Sequence, residues 1–466
     1  MSFDSLSKIC LLMETDYTTS RLTGWGRTSP SSARTAEVSR GDVAAFIKDS
    51  NRRGVLMRGL GRSYGDAAQN AGGVVLTLKG SAQEAVLDVE TGTVTCGAGV
   101  SLHDLLKVIV PRGFFVPVTP GTRFVTVGGA VASDIHGKNH HVEGSFGNHV
   151  RRLTLMLADG TIHEIGPDHN PTLFWATVGG MGLTGVILDV TFALIPIETS
   201  LCTVNTIRCR NIDELIEEMS HGDDDHRYSV AWADLLSTGS RLGRSVLWRG
   251  DHTKLAELSS KDAAQALRYE PRHLASVPPV VPSFGFVNKL SSSLFNELWF
   301  RKEPRRKEGG HKSIPSYFHP LDAIGSWNRL YGAGGFLQYQ FALPFGREDE
   351  LRQIVEKVSV SKMASPLVVL KRFGESNPAP LSFPMPGWTL TVDIPARAEG
   401  LGALLHSIDE MVMQSGGRHY LAKDAHTTPL AIARGYPRLE EWKQIQRSVD
   451  PDRRWQSDLA RRLELI

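Results

Sequence analysis

A short glycine-rich stretch of the chain has the composition of a phosphate-binding loop. It reads Arg58-Gly-Leu-Gly-Arg-Ser-Tyr-Gly-Asp66 and follows the apolar run Val55-Leu-Met57. Because glycine adopts positive φ and lets a ligand approach the backbone, consecutive N–H groups here can form a nest for a pyrophosphate. The third glycine of a Rossmann fingerprint falls on Tyr64, and the Gly-Lys-Ser/Thr of a P-loop is missing. A tight turn between strands would explain a single loop of this kind.

Two further glycine-rich loops favour a nucleotide over a simple turn. They run from Thr119 to Ala130, continuing into Asp134-Ile-His-Gly-Lys-Asn-His-His141, and from Trp175 to Gly185. Three such loops together resemble the flavin-binding domain of the vanillyl-alcohol oxidase type. The resemblance implies an extended FAD lying among the loops.

Five more motifs narrow the resemblance to one family. They are Asp134 to His141, Gly144-Ser-Phe-Gly-Asn-His149, Phe336-Leu-Gln-Tyr-Gln340, Ala379-Pro-Leu-Ser-Phe-Pro384 and Ser457-Asp-Leu-Ala-Arg-Arg-Leu463. These resemble the decaprenylphosphoryl-β-D-ribose oxidase family, from about Thr19 to the C-terminus. The family's reaction moves a hydride from the ribose C2 carbon of a polyprenylphosphoryl-ribose to the flavin. A separate NADH-dependent short-chain reductase then converts the 2-keto sugar to the arabinose donor for the cell wall.

The resemblance also implies which residues contact FAD. They are Met57, Arg58, Gly59, Leu60, Gly61, Arg62, Ser63, Tyr64, Gly65, Asp66, Ala67, Gly121, Thr126, Val127, Gly128, Gly129, Ser133, Asp134, Ile135, His136, Ile187 and Tyr420. Many members of the wider superfamily attach the flavin to a histidine where this chain has Arg62. We therefore expect FAD to be bound noncovalently.

Catalytic and substrate-binding residues follow from the same resemblance. The expected catalytic residues are Tyr64, His136, Gln338 and Lys423, and the expected substrate contacts are Lys138, Gln340, Lys371 and Thr391. An ammonium at position 423 can stabilise negative charge that develops on the reduced flavin or on the substrate oxygen. A surface ion pair with Asp424 would be the ordinary role of such a lysine. The chain departs from the family at three positions, Phe318, Thr389 and Thr391, where Tyr, Asn and Cys are frequent.

Histidines are dense in the second loop, but they do not predict a metal site. The run from His136 to His141 lacks the helical His-Glu-x-x-His spacing, and no cysteine lies nearby. A lysine among these histidines, Lys138, is better suited to an anion. Four cysteines at positions 10, 96, 202 and 209 have no zinc-ligand spacing and no disulfide density, which favours a reducing compartment.

Composition places the chain among ordinary globular proteins. It has 466 residues, 41% hydrophobic and 22% charged, with a net charge of +2. This balance gives no general attraction to nucleic acid. The sequence shows neither a signal peptide nor a membrane-spanning run, so we expect a cytoplasmic protein or one bound peripherally to a membrane, with the periplasmic or cell-wall side also open.

The pattern of elements predicts an α+β fold with a flavin-binding domain and a mixed substrate domain built on an antiparallel sheet. We place the first domain at 19–196, the second at 197–416 and a return to the first at 417–466. Predicted strands include 55–57, 74–78 and 185–195, with hairpin turns at Thr91-Gly92 and Asp159-Gly160. Predicted helices cover 42–49, 102–110, 212–219, 348–360 and 402–414.

The stretch from Pro271 to Lys312 is the least regular, and it combines apolar runs with the basic segment Arg301-Lys-Glu-Pro-Arg-Arg-Lys307. A solvated loop is one interpretation. The other is a lid whose apolar part meets polyprenyl chains and whose arginines meet anionic headgroups.

Three functions stay open from the sequence. The first is the oxidase described above, with a peripheral membrane contact. The second is a soluble FAD-dependent sugar or alditol oxidase, which needs neither a lid nor a partner. The third is a catalytically silent flavin or lipid-sugar binder, against which the presence of Lys423 and His136 counts.

Overall fold

Three β-sheets of four, five and eight strands organise the protein in a computed structural model, which describes residues 17–363 and 366–466. Helices and sheets are intermixed along the chain, and the predicted α+β class with two-domain, vanillyl-alcohol oxidase type character is confirmed. The domain boundaries at 196 and 416 stay a prediction.

The four-stranded sheet carries the first glycine-rich loop. Its strands are β1 (Thr18–Leu22), β2 (Ser31–Val38), β3 (Val55–Met57) and β4 (Val74–Leu78), in the order β1-β2-β4-β3. The strands β2, β4 and β3 run parallel, and the helix α1 (Val43–Lys48) connects β2 to β3. Because β3 ends at Met57, the loop that follows begins at the carboxyl edge of this sheet.

The five-stranded sheet is antiparallel and has the order β5-β6-β10-β8-β9. The elements of this region are β5 (Val86–Asp88), β6 (Thr93–Gly97), α2 (Leu102–Ile109), β7 (Phe114–Phe115), α3 (Val127–Ala132), α4 (His140–Glu143), β8 (Val150–Met156), β9 (Ile162–Ile165), α5 (Pro171–Thr177), β10 (Val186–Ala193) and β11 (Ile195–Pro196). Both predicted hairpin turns form. Gly92 and Gly160 take the positive φ that each turn requires, 62° and 86°.

The eight-stranded sheet is antiparallel throughout and has the order β16-β12-β14-β13-β19-β20-β18-β21. The elements here are β12 (Leu201–Cys209), α6 (Ile212–Gly222), β13 (Tyr228–Ala233), β14 (Ser245–His252), α7 (Ser260–Ala263), β15 (Ala275–Ser276), α8 (Lys289–Lys302), β16 (Arg306–Ser313), α9 (Ile314–Phe318), β17 (Ile324–Gly325), β18 (Phe336–Pro344), α10 (Glu348–Ser361), β19 (Val368–Phe373), β20 (Gly387–Pro395), α11 (Leu401–Gln414) and β21 (Arg418–His419). The helices α6, α10 and α11 share one hydrophobic core with strand residues of even number in β19 and β20, such as Leu370 and Leu390. Because side chains alternate across a strand, the odd-numbered residues of those strands lie on the other face.

The C-terminal segment packs against the glycine-loop region. Its helices are α12 (Pro429–Gly435), α13 (Leu439–Val449) and α14 (Asp458–Arg462). Trp455 is fully buried and forms an isolated bridge to Val55 of β3, and Trp442 donates a hydrogen bond from its indole N–H to the carbonyl of Ala176. The chain therefore returns from the eight-stranded sheet to the region where it began.

The stretch from Pro271 to Lys312 is irregular up to Asn288 apart from the two-residue β15, as expected, but its second half is regular, which corrects the expectation there. Residues 289–302 form the long helix α8, and Arg306 and Lys307 begin β16, which pairs with β12. Asn288 caps α8 by accepting hydrogen bonds from the backbone N–H groups of Leu290 and Ser291. Among the described residues, no helix combines the length and apolar character needed to cross a bilayer.

Candidate active site

The first glycine-rich loop is held in place by its own arginine. The Arg58 guanidinium donates hydrogen bonds to the carbonyls of Ala68, at 2.5 Å, and Thr23, at 2.8 Å. Within the described part of the chain, the backbone N–H groups of residues 59–63 have no protein acceptor. Five consecutive free N–H groups form the concave donor set that suits a diphosphate.

Glycines are required where this loop meets its neighbours. A Cβ on Gly59 would lie 2.4 Å from the hydroxyl of Thr126, and one on Gly65 would lie 1.9 Å from the carbonyl of Asp424. A Cβ on Gly121 would meet nothing within 4 Å. The first two glycines allow loops to pack together, whereas the third borders open space in which a ligand can lie. The contacts of these glycines agree with the predicted cofactor loops, which stay a prediction.

Arg62 occupies the position where a covalent flavin histidine would be expected. Its guanidinium lies 3.9 Å from the centre of the Trp25 ring, and its Nε is buried without a hydrogen-bond partner in the described residues. Burial lowers the pKa of Arg62, although nearby Asp322 opposes this. An arginine offers no imidazole for attachment, so the geometry keeps noncovalent binding as our expectation.

Asp134 organises the second loop with its side chain. It is fully buried with a φ of 38°, and its carboxylate accepts hydrogen bonds from four groups. The donors are Ser145 Oγ at 2.7 Å, Gly147 N at 2.9 Å, Asn377 Nδ2 at 2.7 Å and Ser382 Oγ at 2.5 Å. Burial raises the pKa of Asp134 against the effect of these donors. With its carboxylate engaged in this way, only the backbone around Asp134 remains available for FAD.

One face of the eight-stranded sheet carries most of the predicted substrate side chains. Gln340 of β18 pairs in register with Thr391 of β20, and Lys371 of β19 pairs with Thr389. A polar surface lies on the face of the sheet opposite the helices. It consists of odd-numbered residues of β19 and β20 and even-numbered residues of β18. Its members are Gln338, Gln340, Lys371, Thr389, Thr391 and Asp393.

His136 joins the second loop to this polar face. Its Nδ1 lies 3.0 Å from Nζ of Lys371, and its Nε2 lies 3.1 Å from the side-chain amide of Gln340. Since the Gln340 amide nitrogen can only donate, Nε2 accepts from Gln340 and the ring proton is on Nδ1, facing the Lys371 amine. Burial, helped by the charge of Lys371, lowers the pKa of His136 well below its usual range. The ring is neutral at physiological pH and lies 5.3 Å from the ring of Tyr420, whose hydroxyl donates to the carbonyl of Ser133.

Lys423 lies on a turn attached to the first glycine-rich loop. Its Nζ is 3.9 Å from the centre of the Tyr64 ring, and the backbone N–H of Tyr64 donates to the carbonyl of Ala422 at 3.0 Å. Arg462 donates from one nitrogen to the carboxylates of both Asp66 and Asp424, each at 2.8 Å. These contacts fix the position of the Lys423 ammonium relative to the predicted pyrophosphate loop.

Asp393 belongs to the same site, although the sequence analysis missed it. It is fully buried and accepts hydrogen bonds from Gln338 Nε2 at 2.6 Å and from the Tyr331 hydroxyl at 3.4 Å. Burial raises the pKa of Asp393 to about 7, which the Gln338 hydrogen bond and the charge of Lys423 oppose. The alternation of Thr389, Thr391 and Asp393 along β20 is the signal that could have identified it.

Lys138 is a further predicted substrate contact, and its side chain lies next to aromatic rings. Its ammonium donates a hydrogen bond to the carbonyl of Tyr317 and lies 5.7 Å from the centre of the Phe318 ring. Phe318 replaces the family tyrosine and is buried at 2% exposure. Ile187 of β10 is buried and pairs with Leu155 of β8, so it lies in the five-stranded sheet and outside the polar face.

The electrostatics of the site favour an anionic ligand. Burial lowers the pKa of Lys138, Lys371 and Lys423 to about 7 each. The positive charges of Lys312 and Lys371 lower the pKa of Lys138 further, and the charge of Lys423 lowers that of Lys371 further. Asp393 opposes it at Lys423. Bringing an anion among these amines restores their charged form, because an opposite charge within about 4–6 Å favours ionisation. Among the described residues, no three histidine, cysteine, aspartate or glutamate side chains converge as a metal site.

Comparison with known proteins agrees with this geometry. Residues 37–166 match the FAD binding domain family. The decaprenylphosphoryl-beta-D-ribose oxidase of Mycolicibacterium smegmatis is 44% identical over 96% of this chain and 98% of its own. An uncharacterized protein of Streptomyces coelicolor is 39% identical over 78% of this chain and 100% of its own. The L-gulonolactone oxidase of Mus musculus is 31% identical over 39% of this chain and 41% of its own.

The long match covers both the glycine-rich loops and the polar face of the eight-stranded sheet. FAD is thus the cofactor, and the chain is an oxidoreductase. This chain belongs to the decaprenylphosphoryl-β-D-ribose oxidase family, within the vanillyl-alcohol oxidase type of FAD-dependent enzymes.

Proposed function

We propose that this protein oxidises the ribose C2 hydroxyl of a decaprenylphosphoryl-β-D-ribose or a close polyprenyl relative to the 2-keto sugar. The relative from Mycolicibacterium smegmatis is named for this substrate, and its match extends over nearly the whole chain. When bound, FAD supplies the redox chemistry by taking up the hydride.

The observation that carries the proposal is the cluster of buried amines beside a neutral histidine. A phosphoryl-sugar provides an anion for the buried amines together with hydroxyl groups for Gln338 and Gln340. In this assignment Lys138 and Lys371 bind the phosphate, and His136 positions Gln340 and Lys371 beside the sugar. Lys423 takes up the hydroxyl proton as an amine, and the ammonium that it becomes stabilises the negative charge left by the oxidation, because a positive charge in a water-poor site acts strongly on developing charge.

Anaerobic mixing with purified polyprenylphosphoryl-ribose tests the assignment. We expect the flavin absorbance near 450 nm, the usual wavelength for oxidised flavin, to bleach in one turnover. Unphosphorylated prenyl-ribose should bleach it far more slowly, because it lacks the anion that the lysines bind. Rapid bleaching by free sugars or alditols alone would support the alternative, a soluble sugar oxidase. Absence of bleaching with all of these compounds would support the third alternative, a catalytically silent flavin or lipid-sugar binder.

We further propose that the surface around α8 contacts an anionic membrane. The helix turns polar side chains inward, since Ser292 and Asn296 are buried and Asn296 donates a hydrogen bond to Asp234 at 2.6 Å. Its apolar side chains point outward: Leu290, Leu294 and Leu298 are 81%, 60% and 62% exposed. A soluble helix normally has the reverse arrangement, so an exposed leucine stripe indicates an interaction surface.

Charge complementarity favours lipid as the occupant of this surface. Residues 301, 302 and 305–307 follow the leucine stripe and are exposed, and all five are basic. Each basic residue near an anionic bilayer contributes about 1 kcal/mol to binding, and exposed leucines enter the interface between headgroups and acyl chains. A substrate with a polyprenyl tail would be taken up from the same bilayer.

Replacing Leu290, Leu294 and Leu298 together by serine tests the membrane surface. The variant should no longer sediment with vesicles of phosphatidylglycerol and phosphatidylcholine, while retaining bound flavin. Val360→Ser is the matched control, since Val360 is 65% exposed on another helix, α10. Equal sedimentation of the triple variant and the control would refute the surface. Charge reversal at Arg305 is preferable to deleting the basic segment, because Arg306 and Lys307 pair with β12.

The fate of the product implies a second enzyme. A 2-keto sugar must be reduced from the opposite face to give the arabinose epimer, and we propose that a separate NADH-dependent short-chain reductase does so. Incubating this protein and its substrate with and without such a reductase and NADH should yield arabinose product only when both proteins are present. This arrangement is consistent with a cytoplasmic protein and with a protein bound peripherally to either side of the membrane.

A further inference from the structure

A narrow cleft beside β18 is lined by residues of the proposed active site and by two histidines, His419 and His426, to which the proposed reaction assigns no role. Its lining includes Gln338, Gln340, His419, Lys423, Asp424 and His426. Three of these residues, Gln338, Gln340 and Lys423, belong to the site described above. Polar side chains contribute to the lining of the cleft, whose volume of about 10 Å³ has room for roughly one water molecule.

A buried carboxylate orders the far part of this cleft. Asp409 of α11 is 4% exposed and accepts a hydrogen bond from the Tyr339 hydroxyl at 2.5 Å. Nε2 of His419 lies 3.0 Å from the same carboxylate, and Nε2 of His426 lies 4.0 Å from it. Burial works to raise the pKa of Asp409, but the contacts with His419, Tyr339 and His426 lower it overall. The carboxylate is therefore ionised and able to stabilise a proton on either histidine.

His426 is the member of this group that reaches solvent. Its side chain is 34% exposed, whereas those of His419 and Asp409 are 3% and 6% exposed. His426 follows Lys423 by three residues in sequence, and its backbone N–H donates to the Asp424 carboxylate at 3.0 Å. The turn that carries the site lysine thus carries a solvent-accessible titratable group as well.

The geometry points to a proton exit: the proton of the oxidised hydroxyl passes from the Lys423 amine along the cleft to His426 and then to solvent. This inference rests on the proposed alcohol oxidation. The substrate O–H bond breaks and an N–H bond forms at Lys423, while the hydride and its electron pair leave with FAD. The same proton then moves through cleft water to the His426 ring, and Lys423 returns to its amine form.

The titratable and charged groups around His426 come from several elements. Asp409 faces it from α11 and His419 from β21. The remaining groups are Tyr339 on β18, Lys423 and Asp424 on its own turn, and Arg462 of α14, which binds Asp424. His426 thus lies between a buried carboxylate and solvent, which is the position that a proton exit requires.

His426→Gln tests the route in single-turnover bleaching of the FAD-loaded enzyme. We expect the rate to fall about tenfold and to recover with added imidazole, because glutamine keeps a polar side chain but cannot carry the proton. His406→Gln is the matched control, since His406 is an exposed histidine of α11 paired with Glu410 at 3.4 Å. Equal rates for wild type and His426→Gln would overturn the route. Absence of bleaching in wild type would instead refute the proposed function.

A second measurement does not depend on turnover. In protein with isotope-labelled histidine, NMR titration should show that Lys423→Met shifts the midpoint of His426 and leaves that of His406 unchanged. Such a shift shows that the two groups share one cleft. An unchanged His426 midpoint would overturn the inference even if His426→Gln did not fold.

Discussion

The ammonium nitrogen of Lys371 lies 3.0 Å from Nδ1 of His136, although the two residues are 235 positions apart in sequence. This contact joins the second glycine-rich loop to the polar face of the eight-stranded sheet. Because the Gln340 amide nitrogen donates to Nε2, the ring proton lies on Nδ1, towards Lys371. The loops that surround FAD and the sheet that binds the sugar therefore meet at one defined pair.

Lys371→Met should stabilise the protein near pH 7 and less so at pH 10. Burial lowers the pKa of Lys371 to about 7, whereas an unfolded lysine titrates near 10.4. Between these values the unfolded state binds more protons, so the stability of the wild type rises with pH, by at most about 1.4 kcal/mol per pH unit. Removing the amine removes this dependence. Melting temperatures of both proteins from pH 6 to 10 measure it, with exposed Lys261→Met as control. A constant difference across this range would contradict the prediction.

Lys423→Met should bind FAD normally and be reduced slowly by substrate. The Lys423 nitrogen lies 3.9 Å from the centre of the Tyr64 ring, and the loss of one charge-stabilising group costs a factor of about 10² to 10³ in rate. Flavin content from the absorbance ratio and the bleaching rate separate the two effects. Near-normal bleaching would make Lys423 a structural residue only.

Arg462→Ala should weaken FAD binding and lower stability together. One guanidinium nitrogen bridges Asp66 in the first loop and Asp424 in the Lys423 turn, so both carboxylates lose this charged partner. We expect a loss of about 2 kcal/mol in unfolding free energy, because the pairs are only partly exposed. The neighbouring Arg461→Ala is the control, since Arg461 pairs locally with Asp458. Equal flavin retention in both variants would show that the bridge does not order the site.

Acid precipitation should leave the flavin in the supernatant. Arg62, beside Trp25, provides no ring nitrogen for a covalent bond to FAD. Absorbance of supernatant and pellet after trichloroacetic acid treatment measures the distribution. Yellow colour retained in the pellet would show a covalent link elsewhere in the chain.

The sequence by itself determined the cofactor class and the local elements. Glycine spacing is a local property, because positive φ and close backbone approach act over a few residues, and the loops at 58–66 and 119–130 were identified from it. Hairpin turns such as Asp159-Gly160 and helices such as 348–360 follow from short-range pattern in the same way, and both were predicted within one or two residues. The resemblance to a family supplied the site residues, including Lys423 and His136.

Only the tertiary structure decided how these residues meet. Asp393 joined the site because the register of β18 against β20 places it beside Gln338, and sheet register depends on contacts between distant segments. The inverted polarity of α8 was hidden for the same reason: a helix shows which face is buried only once Asn296 has met Asp234. The pKa values of the lysines near 7 likewise come from burial, which a sequence does not contain. Long-range packing thus converted a set of separately recognisable motifs into one charged, desolvated site.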